Sequence, residues 1–170
     1  AHQEHAVRRI GSGHSAIVTT GTGSGKTECF LIPVLNELLT QAHEGTLPEN
    51  GVQAILIYPM NALANDQMKR LRELLLCYPQ IRFGVYSGDT KESQADALKR
   101  YRDLHINDRY NETRVAPIPN EIISREEMRK NPPHILCTNY AMLERLLLRP
   151  QDEDLFAKSD IRFVVLDEAH

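Results

Sequence analysis

No apolar run in this 170-residue chain approaches the roughly 20 residues that a membrane-spanning helix requires. No basic stretch followed by an apolar run is arranged at the N-terminus as a secretory leader. Its three cysteines, Cys29, Cys77 and Cys137, are odd in number and scattered, with no Cys-x-x-Cys pair. That excludes a disulfide scaffold and a thiol-based metal site, and it predicts reduced thiols in a cytoplasmic protein. The seven histidines are equally dispersed and suggest no metal site built from side chains alone. Basic excess is missing too: the formal net charge is −3. Any contact with nucleic acid must therefore come from a local surface and not from a cationic whole domain.

What is present is organised around residues 20–27. Thr20-Gly21-Thr22-Gly23-Ser24-Gly25-Lys26-Thr27 follows a short β-prone segment, Ser15–Thr19, and precedes a stretch from Glu28 to Leu39 with helical apolar spacing. Strand, glycine-rich loop and helix in that order is the context of a phosphate-binding loop. Glycines let backbone N–H groups approach phosphate oxygens, and the helix N-terminus adds partial positive charge. Lys26 then supplies a point charge for the β- and γ-phosphates, and the Thr27 hydroxyl is placed to ligate Mg²⁺. The first position of the usual G-x-x-x-x-G-K-[ST] pattern is Thr20 instead of Gly.

Further strands are predicted over residues 53–58, 81–86, 134–138 and 161–166, each apolar enough to be buried in a sheet. Helical spacing falls between them. Asn61 is a plausible cap for a helix reaching Cys77 with Leu63, Met68, Leu71, Leu74 and Leu75 largely on one face. Another helix carries Met142, Leu143, Leu146 and Leu147 and is stopped by Pro150. The repeated β-α-β order predicts an α/β fold, a mainly parallel sheet with helices on both faces. Lys91 to Pro133 breaks the rhythm. Its first part is helix-compatible, with Ala95, Leu98, Tyr101 and Leu104 forming an apolar stripe. Residues 108–123 show no sustained period, and Ser124-Arg125-Glu126-Glu127 has capping-box spacing. The segment reads as an insertion between core strands: a solvated surface excursion, or alternatively a loop touching nucleic acid or a partner.

The chain closes on Val164-Val165-Leu166-Asp167-Glu168-Ala169-His170. An apolar strand carrying a carboxylate pair at its end complements a phosphate loop in a parallel sheet, where ligands gather at the carboxyl ends of the strands. Asp167 is expected to hold Mg²⁺, and Glu168 to polarise the water that attacks the γ-phosphate.

The ordered set is more specific than any one piece. The phosphate loop, Tyr58-Pro59-Met60-Asn61-Ala62-Leu63-Ala64-Asn65-Asp66-Gln67, Tyr86-Ser87-Gly88-Asp89-Thr90, Cys137-Thr138-Asn139 and Asp167-Glu168-Ala169-His170 resemble motifs I, Ia, Ib, Ic and II of superfamily 2 helicases of the DEAH type. His2-Gln3 resembles the glutamine motif that reads adenine. Arg125–Met128, Asn131–Leu136 and Asn139–Glu144 running into Leu148-Arg149-Pro150 are similar to bacterial DNA helicases of the mitomycin-repair and DISARM anti-phage type.

The resemblance implies a RecA-like P-loop NTPase domain truncated after motif II, with ATP and Mg²⁺ as cofactors. Gln3, Thr22, Gly23, Ser24, Gly25, Lys26 and Thr27 would hold the nucleotide. Glu168, Lys26 and Asp167 would act in hydrolysis, with Thr27 and Asp167 on the metal. Asn61, Gly88 and Thr138 would meet the backbone of a nucleic-acid strand, with DNA favoured over RNA, and His170 would couple the two sites. Asn61 departs from the Thr-Arg or Thr-Lys pair common in motif Ia. A second RecA-like domain, which in this superfamily supplies the arginines at the γ-phosphate, is absent from these residues, so the 170-residue chain alone is expected to be nearly inactive. Partner subunits of a repair or defence complex are a further implication. A nucleotide-gated clamp or switch, an RNA helicase and a P-loop ATPase unrelated to nucleic acid remain the competing readings.

Overall fold

The computed structural model describes residues 2–19, 25–59, 66–106 and 116–167. Two compact units divide the chain, residues 1–47 and 48–170.

The first unit holds two helices that pack on each other, α1 (His2–Gly11) and α2 (Lys26–Glu44). Residues 14–19 between them run without forming a strand, and Ile17 is 93% exposed. The strand expected at Ser15–Thr19 is therefore not formed. β-prone residues settle into a strand only against a neighbour, and these have none among the described residues. Helix α2 exceeds its expected span at both ends. It even carries Pro33, buried in its interior, with Cys29, Leu31, Val34 and Leu38 also buried.

The second unit is a five-stranded, all-parallel sheet in the order β3-β2-β4-β1-β5. Its strands are β1 (Ala54–Ile57), β2 (Phe83–Tyr86), β3 (Glu121–Ile122), β4 (Ile135–Thr138) and β5 (Phe163–Leu166). Central β1 and β4 are buried at every position, which is why both read as unbroken apolar runs. Edge strand β5 differs. It pairs only with β1 among the described residues, and Val164 and Leu166 are 56% and 55% exposed.

Helices α3 (Asp66–Leu75) and α4 (Gln94–Ile106) lie in the connections that step from β1 to β2 to β3. Helix α5 (Arg125–Lys130) and helix α6 (Tyr140–Leu148), with the 3-10 turn Pro150–Leu155, lie in those that step back. Right-handed crossovers running in opposite directions put the two pairs on opposite faces of the sheet. One face gathers Ile55, Ile57, Tyr86, Ile122 and Leu136 against Met128, Met142, Leu146 and Leu155. Each such buried side chain contributes roughly 1.5–3 kcal/mol. On α3 the buried residues are Met68, Leu71 and Leu75. Arg72 of that helix lies over the Tyr101 ring of α4, 5.6 Å from its centroid.

The described residues of 91–133 are built into the sheet and its helices. They supply α4, the edge strand β3 and α5, so the sheet has a strand where none was expected. Two contacts dock β3. Arg72 makes a two-pronged ion pair with Glu121, whose side chain is almost fully buried. Asn120 donates to the carbonyls of Leu75, Tyr78 and Ile81, closing the end of α3. Close approach is allowed by Gly84 of β2, where a Cβ would lie 2.9 Å from the Ile122 carbonyl and 3.1 Å from Met128 Sδ. The apolar stripe of α4 uses Ala97 and Tyr101, with Ala95 turned to solvent. Among the described residues no helix is long and apolar enough to cross a membrane.

Candidate nucleotide and nucleic-acid sites

The residues expected to bind nucleotide fall in both units. In the first, Gly25 stands immediately ahead of α2 with φ 78° and ψ 34°, the left-handed conformation that glycine adopts without penalty. That turn starts the helix at Lys26, so Lys26 and Thr27 occupy its first turn, and the cap residue, Gly25, has no side chain to accept from it. A helix start carrying Lys and Thr behind a left-handed glycine fits a phosphate with its magnesium. Thr22, Gly23 and Ser24 lie outside the described residues. Gln3, on α1, donates from Nε2 to the Gly25 carbonyl at 3.1 Å. A Cβ at Gly25 would lie 2.1 Å from that nitrogen. The glutamine is thus fitted against the end of the loop. Cys29 Sγ reaches the same carbonyl at 3.6 Å.

In the second unit the carboxyl ends of four strands are flush, because Ile57, Tyr86, Thr138 and Leu166 stand in register. Asp167 follows β5 directly, and its N–H donates to the Ile57 carbonyl at 2.9 Å, extending the ladder by one bond. Tyr58 is buried beside it. Burial pushes its phenol up from the ordinary 10.0, and the neighbouring Cys137 and Asp167 groups push the same way, so Tyr58 stays neutral. Glu168 and His170 lie outside the described residues, as does Asn61.

Gly88 sits on an exposed turn just past β2, with open space where a side chain would project. The turn is built by its neighbours. Thr90 Oγ1 donates to the Val85 carbonyl and accepts from the Ser87 N–H, and the Asp89 N–H donates to Ser87 Oγ. Asp89 also pairs with Arg100 of α4 at 3.2 Å. Thr138 corrects its expectation. It is fully buried, and its hydroxyl donates to the Tyr86 carbonyl at 2.7 Å, so it braces two strand ends and presents nothing to a strand of nucleic acid. Asn139, next in sequence, caps α6 by accepting from the Met142 N–H.

Sequence reasoning missed the polar cluster beneath this edge. Tyr86 donates to the fully buried Asp152, Arg129 reaches both, and Arg125 lies over the Tyr86 ring at 5.2 Å. The signal was thin, since Asp152 stands in an ordinary acidic stretch, Asp152-Glu153-Asp154.

The sequence model described as DEAD/DEAH box helicase matches residues 1–108. The chain belongs to the DEAD/DEAH box helicase family. Among curated relatives, the Druantia protein DruE of Escherichia coli (strain UMEA 4076-1) is 29% identical over 91% of this chain and 13% of its own length. An ATP-dependent helicase Lhr-Core of Methanothermobacter thermautotrophicus is 33% identical over 99% of this chain and 17% of its own. The ATP-dependent helicase hrq1 of Schizosaccharomyces pombe is 28% identical over 99% of this chain and 12% of its own. This helicase segment thus spans less than a fifth of the length of these relatives. No solved structure matches it. Family and fold agree: the parallel sheet, with helices on its two faces, is that of a RecA-like helicase domain.

Proposed function

We propose that this segment is the ATP-binding half of a DEAH-type motor that couples ATP hydrolysis to movement on, or unwinding of, DNA. The observation that carries the reading is the start of α2, where left-handed Gly25 delivers Lys26 and Thr27 into the first turn of the helix. Lys26 binds the β- and γ-phosphates, Thr27 and Asp167 hold the magnesium, and Gln3 reads the adenine beside the loop. Thr22, Gly23, Ser24 and Gly25 offer backbone N–H groups to the phosphates. Magnesium, when bound, neutralises charge that develops on the transferring phosphoryl group. Glu168 orients the attacking water and accepts its proton, and His170 relays the state of this site to the bound strand.

The strand runs past the carboxyl edge of the sheet. Gly88 meets a phosphate through its backbone, as does Asn61 at the start of the segment before α3. Contacts of this kind fix position without reading bases. Thr138 contributes through the Tyr86 carbonyl that it holds. Arginines that complete the γ-phosphate site would come from a second RecA-like domain, so the 170 residues alone should bind ATP weakly and turn it over very slowly. A role in repair or defence complexes and a cytoplasmic location belong to the same proposal.

The test is ATPase activity of the full-length protein, with and without single-stranded DNA and RNA, alongside Lys26→Ala and Glu168→Gln. DNA-stimulated hydrolysis that vanishes in Glu168→Gln while nucleotide binding persists supports the motor. Lys26→Ala should lose binding altogether. Stimulation by RNA alone would change the track. Hydrolysis indifferent to both polymers would leave a clamp, a switch or an unrelated ATPase.

A further inference from the structure

We infer that Arg125 is a positioning residue for strand binding, which sets the direction in which the Gly88 amide points. Resting on the reading of Gly88 as a backbone-phosphate contact, the inference names the device that prepares that contact. The guanidinium of Arg125 donates from Nη2 to the Ser87 carbonyl at 2.9 Å and to the Gly88 carbonyl at 3.3 Å. In a trans peptide the carbonyl and the following N–H point opposite ways. Gripping those two carbonyls on one side therefore turns the N–H groups of Gly88 and Asp89 to the other side. The Asp89 N–H is used by Ser87 Oγ. That of Gly88 has no partner among the described residues, and Gly88 is exposed with nothing near its Cα to block approach. One directed donor on an open turn is what a phosphate oxygen needs.

Arg125 is itself held by two further contacts. Its guanidinium lies over the Tyr86 ring, 5.2 Å from the centroid. Its backbone N–H donates to the Lys91 carbonyl at 2.9 Å, tying the start of α5 to the residues just past the turn. Its Nε is buried. Behind the ring, the Tyr86 hydroxyl donates to Asp152, and Arg129 bridges Asp152 to Glu92. Arg125 thus faces inward onto the turn and serves the strand through Gly88, without touching it.

The experiment measures binding of a fluorescein-labelled oligo(dT) of about 20 nucleotides to the full-length protein across a salt series, for wild type, Arg125→Ala and Arg125→Lys. Arg125→Ala is expected to bind roughly tenfold more weakly, the scale of one hydrogen bond to a charged group. Its salt slope should be unchanged, because the group that meets the phosphate is a neutral N–H. The KM for ATP and the unstimulated ATPase rate should stay at wild-type values. Arg125→Lys keeps a donor for the carbonyls but loses the planar guanidinium that lies over the Tyr86 ring; it should fall in between and remains readable if the alanine variant does not fold. Unchanged affinity in both variants overturns the inference. So does a salt slope reduced by about 0.7, the signature of a cation removed from a phosphate on a single strand. Failure of the wild-type protein to bind oligo(dT) would overturn the strand-binding reading itself, and the inference with it.

Discussion

The hydroxyl of Tyr86 donates a 2.7 Å hydrogen bond to Oδ1 of Asp152, joining the end of β2 to a carboxylate with no exposed surface. Sixty-six residues separate the two in sequence. Burial raises the Tyr86 phenol above its ordinary pKa, and the bond and charge of Asp152 raise it further, against opposing pulls from Arg125 and Arg129. The phenol therefore stays protonated and remains a donor.

Tyr86→Phe should cost about 1–3 kcal/mol, the penalty for removing one partner of a buried hydrogen bond to a charged group. Urea unfolding checks this through a lower midpoint at unchanged slope. A midpoint equal to wild type would mean that Arg129 alone satisfies Asp152.

His134 predicts a pH dependence. Its Nδ1 accepts from the Arg82 N–H at 3.0 Å and its Nε2 donates to the Pro48 carbonyl at 2.8 Å, so the ring is neutral with its proton on Nε2. Burial lowers its pKa below the ordinary 6.5; the Pro48 bond opposes this, and the Arg82 charge adds to it. A depressed folded-state value means that the unfolded chain takes up the proton first as pH falls. Stability from this residue should be complete above about pH 6.5 and decline as pH drops through the lowered value. Unfolding midpoints from pH 8 to pH 5 should fall less steeply in His134→Gln than in wild type.

Gly25→Ala should weaken nucleotide binding roughly tenfold. The left-handed backbone costs a side chain about 1–2 kcal/mol, and the new Cβ would also displace Gln3. Titration with a fluorescent ATP analogue separates the two causes. If the backbone term dominates, Gly25→Ala with Gln3→Ala should bind more weakly than Gln3→Ala alone; equal binding by those two variants would assign the loss to the displaced glutamine.

Alkylation should sort the three cysteines. Cys77 is exposed, whereas Cys29 and Cys137 are buried. Burial pushes the Cys137 thiol up to about 12, a reagent-inert value that the Arg72 charge only partly offsets and that Glu121 reinforces. Iodoacetamide at neutral pH should label Cys77 alone by intact mass, and all three cysteines after denaturation.

Much of this was legible because particular residues constrain their own backbone. Helix α2 follows from Gly-Lys-Thr, α5 from the Ser124 hydroxyl that accepts from the Glu127 N–H, and α6 from Asn139. Strands β1 and β4 announce themselves by burial on both faces. Strand β3 could not, since two residues after Pro119 carry no period; its place is fixed by distant contacts to Arg72 and to the end of α3. Ser15–Thr19 fails in the opposite way, with strand propensity but no neighbour among the described residues to realise it. Thr138 was placed at the right edge but facing the wrong way, because sequence does not say which hydroxyl a neighbouring carbonyl will claim. Asp152, one acid among three near neighbours, gave no hint that it would be the buried one.

Strand β1 also sets a timetable for biosynthesis. It is completed by β4 and then by β5, whose pairing partners lie about 80 and 110 residues downstream. At roughly 5–20 residues per second on the ribosome, Ala54–Ile57 waits several seconds or more before its second flank can close. Throughout that interval four consecutive apolar residues are a ready template for some other strand, and the nascent chain depends on being shielded until Phe163–Leu166 emerges.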